Sequence, residues 1–327
     1  MKIPKVSVIV PIYNVENYVR RCAESLFLQT LCGIEIIFID DCSTDNSLDV
    51  LRMVIDEYRE LTSSTGKSVR IESMPSNSGQ AAVRRHGIQV AKGEYIIHCD
   101  SDDWVEGDMY ETMYKTAKER NCDIVFCNYF ISTDISDSAV QQNIPESKDS
   151  LISGFLNGSI HASLWNKLVQ RKLYDRIQFW PIANMREDLA LMIQLAYYSQ
   201  SFTCVNVPFY HYYINQFSIC RAGSANKSLQ RYWQSIENYN LVKSFLENIN
   251  IEKRFINDLT ILAFYIRNEL CSVANTERRI FTLFNQSFPE ITFFKTLILH
   301  VPLQSKLKYI ATKLHLYSIV DKLRSKI

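Results

Sequence analysis

Five short apolar runs recur along the first 132 residues, and most are followed by a segment of helical periodicity. This alternation limits the fold more than any other feature. The runs are "KVSVIVPIY" (5–13), "IEIIFIDD" (34–41), "SVRIESM" (68–74), "EYIIHCD" (94–100) and "CDIVFCNYFI" (122–131). All five read as strands, and the Val- and Ile-rich run 5–13 has the pattern of a buried one. Between them, Val15, Tyr18, Val19, Cys22 and Leu26 repeat at helical spacing, with Asn14 as a candidate N-cap. Leu48, Leu51, Val54, Ile55 and Tyr58 do the same after the second run. "SGQAAVRRHGIQVAKG" and "GDMYETMYKTAKERN" complete a β-α-β-α order. That order predicts an α/β fold: a mainly parallel, Rossmann-like sheet with helices on both faces.

The remainder is less regular. Residues 132–148 are polar and read as a surface loop. "LWNKLVQRKLYD" and "REDLALMIQLAYYS" read as helices, and "FTCVNVPFYHYYI" (202–214) as one or two strands. From about Lys227 the pattern is helical throughout. The 327 residues therefore divide into an α/β domain, 1–220, and a C-terminal helical region, 221–327, with the boundary near 216–226. A net charge of +1 supplies no field for nucleic acid. Nine cysteines without CxxC or Cys/His spacing argue against a zinc site or a disulfide framework and suit a reducing cytoplasm. The apolar run at the N-terminus is too short for a signal peptide or spanning helix.

In open parallel sheets, ligands bind beyond the carboxyl ends of the strands. The acidic residues of this chain collect there. Asp40 and Asp41 follow the second run, and Asp100, Asp102 and Asp103 follow the fourth. Neither G-x-G-x-x-G after the first strand nor G-x-x-x-x-G-K-S/T is present, which excludes the usual glycine cradles for phosphate. Two carboxylate clusters without such a cradle point to a divalent metal bridging aspartate oxygens to a diphosphate. Hard oxygen donors favour Mg²⁺ or Mn²⁺ over Zn²⁺. The bland reading is an Asx-turn or helix cap; two clusters on one edge weigh against it.

Five ordered blocks, "VSVIVPIYNVENYV", "EIIFIDDCSTDNS", "NSGQAAVRRHGIQVAKGEYIIHCDSDDWV", "LWNKLVQRKLY" and "REDLAL", together resemble a family 2 glycosyltransferase of the GT-A fold. The resemblance spans roughly 6–213. It implies an inverting, metal-dependent enzyme that uses a nucleotide-diphosphate sugar. By position, Pro11 and Tyr13 would hold the base, Asp41 and Asp40 would accept a hydrogen bond from it, and Asn14 and Glu16 would border the pocket. Arg84 would lie near the phosphates. Asp100 would contact the ribose, Asp102 would bind the metal and Asp103 would support the site, with Asp100, Asp103 and His211 as further candidate ligands of Mn²⁺ or Mg²⁺. Asp188 would be the general base with Glu187 beside it, and Asn166 and Lys167 would line the acceptor side. His211 and Tyr213 fall in a segment that closes over the donor in this family.

The chain departs from the family pattern at Cys42 and Arg186, which stand where glycines are usual, and at Arg85, which adds a charge. A left-handed turn at Cys42 would be strained. Other residues keep simpler readings. His211 among aromatics is also a candidate packed histidine. His98, Trp165, Trp180 and Trp233 suit packing, and Cys22, Cys99, Cys122 and Cys127 suit buried small hydrophobes. Residues 305–327 carry Lys306, Lys308, Lys313, Lys322, Arg324 and Lys326 against Asp321, with Leu307, Ile310 and Leu314 at helical spacing. This basic helix either makes peripheral contact with an anionic membrane or packs on the domain.

The expected function is transfer of a sugar, from a UDP-sugar in the first instance, to a glycan or lipid-linked acceptor in cell-surface polysaccharide synthesis. The expected location is the cytoplasm or the inner face of the membrane. A sugar-nucleotide nucleotidyltransferase and a non-catalytic sugar-nucleotide-binding module are the competing classes.

Overall fold

The computed structural model describes residues 3–214 and 224–316. Strands are β1 (Val6–Ile12), β2 (Glu35–Asp40), β3 (Ser68–Ser73), β4 (Tyr95–His98), β5 (Trp104–Val105), β6 (Ile124–Ser132), β7 (Asp137–Val140), β8 (Lys167–Gln170) and β9 (Phe202–Tyr213). Helices of the α/β part are α1 (Val19–Phe27), α2 (Ser47–Glu57), α3 (Arg59–Ser64), α4 (Gln80–Val90), α5 (Met109–Glu119), α6 (Lys148–Asn157) and α7 (Glu187–Tyr198). Then come α8 (Ala225–Asn248), α9 (Ile256–Asn268), α10 (Arg278–Gln286), α11 (Phe293–Ile298) and α12 (Leu303–Lys313).

The sheet runs β3-β2-β1-β4-β8-β6-β9-β5, with β7 paired to β6. β3, β2, β1 and β4 are parallel. Successive side chains of these strands point to opposite faces, and both faces of β1, β2 and β4 are covered, whereas β3 at the sheet edge is only half-buried. Ile9, Ile37 and Ile39 enter one core, whereas Val8, Val10, Ile36 and Phe38 enter the other. That explains the near-continuous hydrophobicity of the runs. The first core continues without a break through α6 and α7 into α8, α9 and Tyr309 of α12. The segment 215–223, where most of the expected boundary falls, and residues 317–327 of the basic C-terminal segment lie outside the described residues. Among the described residues no helix is long and apolar enough to cross a membrane.

Three expectations are corrected. "LWNKLVQRKLYD" is not a helix: β8 inserts antiparallel between β4 and β6, and a 3-10 turn, Arg171–Arg176, follows. Leu168 feeds one core and Val169 the other. A strand this short, buried on both sides, carries no period that separates it from a helix. The polar stretch 132–148 contains β7, an edge strand whose outward residues are exposed. Helix α1 begins at Val19 with Tyr18 at its cap position, so Asn14 does not cap it.

Candidate active site

The loops after β1, β2 and β4 share one edge of the sheet, and hydrogen bonds lock the first two together. The Asn14 side-chain oxygen accepts from the Thr44 N–H at 2.8 Å. The Glu16 carboxylate accepts from the Asn46 N–H at 3.0 Å and from its side-chain amide at 2.9 Å. The Val15 N–H donates to Ser47 Oγ at 2.7 Å. Asn14 and Glu16 therefore latch two loops, and Asn14 does so with φ at 51°. Asp41 is buried, and its two oxygens accept the N–H groups of Ser78 and Gly79 at 2.7 and 2.8 Å. It thereby anchors the turn that leads into α4. Asp40 accepts from the Ser43 N–H at 3.1 Å. Pro11 sits inside β1 opposite Ile39. Tyr13, just past the strand, keeps its ring open to solvent.

The acidic turn is braced from β9. Tyr210 donates its hydroxyl to Asp103 Oδ2 at 2.6 Å and accepts the Asp100 N–H at 3.0 Å. The Tyr213 N–H donates to Asp103 Oδ1 at 2.7 Å. Asp103 is thus a buried brace with both oxygens engaged, and burial pushes its carboxyl well above the ordinary range. This geometry does not suit the metal-ligand role expected of it. His211 does not suit that role either. Its ring is stacked between Trp104 and Phe130, with centroids 4.6 Å away on each side. Its nitrogens face Ser132 Oγ at 3.0 Å and Glu106 Oε1 at 2.8 Å. Arg21 was not expected here. Its guanidinium lies 3.6 Å over the Trp104 ring and 4.5 Å over that of Tyr213, and it donates to the Asp102 carbonyl at 3.3 Å. Nothing in the sequence separates it from its neighbour Arg20, which pairs with Glu24 and Glu57 on the surface.

Arg84 connects the acidic turn to the start of α7. It is buried, with Nη2 2.9 Å from Asp100 Oδ1 and Nε 3.7 Å from both Glu187 Oε1 and Asp188 Oδ1. It was expected beside phosphate; in the structure it joins three carboxylates. One guanidinium against three acids leaves surplus negative charge. Burial, opposed by Arg84, raises Asp100 to about 6, and burial holds Glu187 well above its ordinary value. Asp188 Oδ2 accepts the Leu164 N–H at 3.2 Å. Its Oδ1 is buried on the Arg84 side with no hydrogen-bond partner, a state buried oxygens rarely keep.

Two supports hold Asp188 in place. Lys167 is buried, and its Nζ donates to the His161 carbonyl at 2.8 Å, the Ser163 carbonyl at 2.6 Å and Asn166 Oδ1 at 2.7 Å. Asn166, also buried, donates to the Cys127 carbonyl at 2.9 Å. The pair was expected to line an acceptor. Neither reaches solvent, and together they rigidify the loop that supplies the Leu164 N–H. Burial draws Lys167 down to about 7, but three acceptors around one nitrogen call for all three ammonium hydrogens. On the other side, Arg186 has φ at 63° and pairs with Glu269 at 2.7 Å. Asn238 of α8 donates to the Ala183 and Met185 carbonyls at 2.9 and 2.7 Å. Asn184 in the same loop accepts the Ala81 N–H at 3.1 Å. A Cβ at Gly79 would run into it. The C-terminal helices therefore hold the loop ahead of Asp188 against the first turn of α4.

Among the described residues no group of three or more His, Cys, Asp or Glu side chains is arranged to hold a metal ion. Asp100 and Asp102 nonetheless offer hard carboxylate oxygens two residues apart, beside surplus negative charge. That set fits a small divalent cation that takes most of its ligands from phosphate and water.

A parallel sheet with acidic loops at its carboxyl edge and a helical C-terminal region defines a GT-A architecture. S. aureus TarS residues 1–349, solved in complex with UDP-GlcNAc, shares it at a TM-score of 0.59 and 16% identity, over 97% of this chain and 92% of that one. The mannosyltransferase PcManGT from Pyrobaculum calidifontis, solved with GDP-Man and Mn²⁺, aligns at a TM-score of 0.54 and 13% identity, over 97% of this chain and 88% of that one. The chain belongs to glycosyl transferase family 2, whose sequence pattern matches residues 7–197. EpsH of Bacillus subtilis (strain 168) is 34% identical over 228 residues, 67% of this chain. The chain spans 63% of EpsH, just under two thirds of its length.

Proposed function

We propose that the protein is an inverting glycosyltransferase that takes a sugar from a nucleotide-diphosphate donor, a UDP-sugar first among them. The observation that carries this reading is the shared buried guanidinium. Through Arg84, a carboxylate at the donor edge, Asp100, and a carboxylate at a helix start, Asp188, belong to one cluster. The two can then take opposed parts. The partly exposed Asp188 carboxylate accepts the proton of the acceptor hydroxyl as the hydroxyl oxygen attacks the anomeric carbon from the face opposite the leaving diphosphate. Inversion follows from that single displacement. The exposed ring of Tyr13 stacks on the base. Asp102, with Asp100, would hold Mn²⁺ or Mg²⁺, which when bound neutralises charge on the diphosphate. The nucleotide sugars in the TarS and PcManGT complexes support the donor class, and the Mn²⁺ in the second supports the cation.

The acceptor in this reading is a glycan or lipid-linked glycan of cell-surface polysaccharide synthesis, met in the cytoplasm at the inner face of the membrane. The test is a donor screen. UDP- and GDP-sugars are incubated with the protein and Mn²⁺ or Mg²⁺, and released nucleoside diphosphate is measured alongside donor binding. At least one sugar nucleotide should bind and be slowly hydrolysed. Neither binding nor hydrolysis across the panel would overturn the reading.

A further inference from the structure

Apolar side chains exposed singly on a surface need no explanation. Those of α11 are not single. Its buried side carries Thr296, flanked by buried Ile291 and Leu299. Its outward side carries Phe293, Phe294, Leu297 and Ile298, at i, i+1, i+4 and i+5, with Phe294 78% and Ile298 76% exposed. A surface helix ordinarily does the reverse and turns its apolar stripe to the core. Helix α12 adjoins it. Leu303 and Leu307, one turn apart, are exposed there too. Lys306 reaches back to donate to the Leu297 carbonyl at 2.7 Å, which ties the two helices and sets a cation at the edge of the apolar patch.

Within α11 and α12 the charged side chains have one sign, although the exposed Glu290 lies just before them. From Ile291 to Val320 the sequence contains no Asp or Glu. Lys295, Lys306 and Lys308 fall in that stretch, and among the described residues none of the three forms an ion pair. A second copy of the chain docked here would bring lysines against lysines, which disfavours self-association. An anionic bilayer meets both properties, with acyl chains for the phenylalanines and headgroups for the lysines.

We infer that α11 and α12 form a bilayer-docking surface that sets Phe294 and Ile298 among lipid chains and Lys295, Lys306 and Lys308 among anionic headgroups. The inference deepens the lipid-linked-acceptor reading and rests on it for its purpose. Its test uses neither donor nor acceptor, so failure of one leaves the other standing.

The full chain is floated with vesicles of equal parts phosphatidylglycerol and phosphatidylcholine, and with phosphatidylcholine alone, at low and high salt. The protein should float with the anionic vesicles at low salt and much less in the other conditions. Phe294→Ser with Ile298→Ser should reduce binding at least about tenfold. Circular dichroism should stay unchanged, because both side chains are already largely in water. Lys295→Glu with Lys308→Glu should abolish binding at low salt. Three results would overturn the inference: no flotation with either vesicle; binding unaffected by the serine pair but lost when the chain ends at Leu316; or, by light scattering without lipid, a dimer that the serine pair dissociates.

Discussion

Arg84 donates to Asp100 across 2.9 Å from a position 1% exposed, and the same guanidinium stands 3.7 Å from Asp188. A buried arginine of this kind is worth more as charge compensation than as a ligand contact. Without it, Asp100, Glu187 and Asp188 would crowd one another in a poorly solvated place. Arg84→Ala should destabilise the fold by about 3–5 kcal/mol, as the removal of one partner from a buried ion pair does. Arg84→Lys keeps the charge but loses the planar fork that spans two carboxylates, and should fall between the two. Urea unfolding of the three proteins at neutral pH measures this. A loss below about 1 kcal/mol in Arg84→Ala would mean that the carboxylates are solvated after all.

Asp188 is the residue on which the proposed chemistry turns. Asp188→Asn preserves an oxygen for the Leu164 N–H and removes the proton acceptor. Turnover should fall about 10²–10⁴-fold with the donor KM and the unfolding midpoint nearly unchanged. Wild-type turnover in this variant would remove Asp188 from the role of base. A large fall in stability instead would make it one more brace, like Asp103.

Most strands of the α/β half were legible because their short apolar runs alternate with helical periods and are bounded by polar turns. β8 was not, because its three buried residues begin with a lysine and run straight into a polar, helix-like segment, leaving no period to read. The acidic clusters were legible as clusters, but the division of labour inside them was not. Which aspartates face inward depends on Tyr210 and Tyr213, more than a hundred residues away along the chain. Lys167 misled for a related reason. The resemblance alone placed it on the acceptor side, next to Asn166. Its burial becomes affordable only where a loop folds three oxygens around it, and no local pattern announces that. His211 had two readings, ligand and packed histidine, and the stack of Trp104 and Phe130 on both faces of its ring suits the second.

Cys42 and Arg186 were read as replacements for glycine, and both backbones are left-handed, with φ at 62° and 63°. The turn is kept and strain is accepted in its place. For a residue with a Cβ this conformation costs about 1–2 kcal/mol, partly offset by the greater unfolded-state freedom of glycine. Arg186 recovers some of that cost through Glu269. Arg186→Gly and Arg186→Ala both lose the ion pair, but only the first relieves the strain. Arg186→Gly should therefore be the more stable of the two by about 0.5–1 kcal/mol. Cys42→Gly should raise stability by a similar amount. Equal stabilities for the two Arg186 variants would show that the loop relaxes out of the left-handed region once the arginine is gone.

His98 lies in the middle of the sheet, 1% exposed, with neither ring nitrogen hydrogen-bonded. Burial first, and then the positive charge of Arg84, hold its imidazole well below the ordinary value of 6.5. The folded chain therefore keeps it neutral, whereas the unfolded chain takes up a proton below about 6.5. Fewer protons are bound by the folded than by the unfolded state, so this residue lowers stability as pH falls through that value. The slope is about 1.4 kcal/mol per pH unit, and above about 6.5 the contribution vanishes. Asp100, Asp103 and Glu187, raised by burial, act in the opposite sense on acidification, so absolute stability does not isolate the histidine. The difference between wild type and His98→Phe does. Urea midpoints of both proteins at about pH 7.5, 6.5 and 5.5 should show a constant gap at the higher values and a gap widening in favour of the phenylalanine variant at the lowest. A gap independent of pH would mean that His98 accepts its proton in the folded chain, with a partner that the native sheet must open to provide.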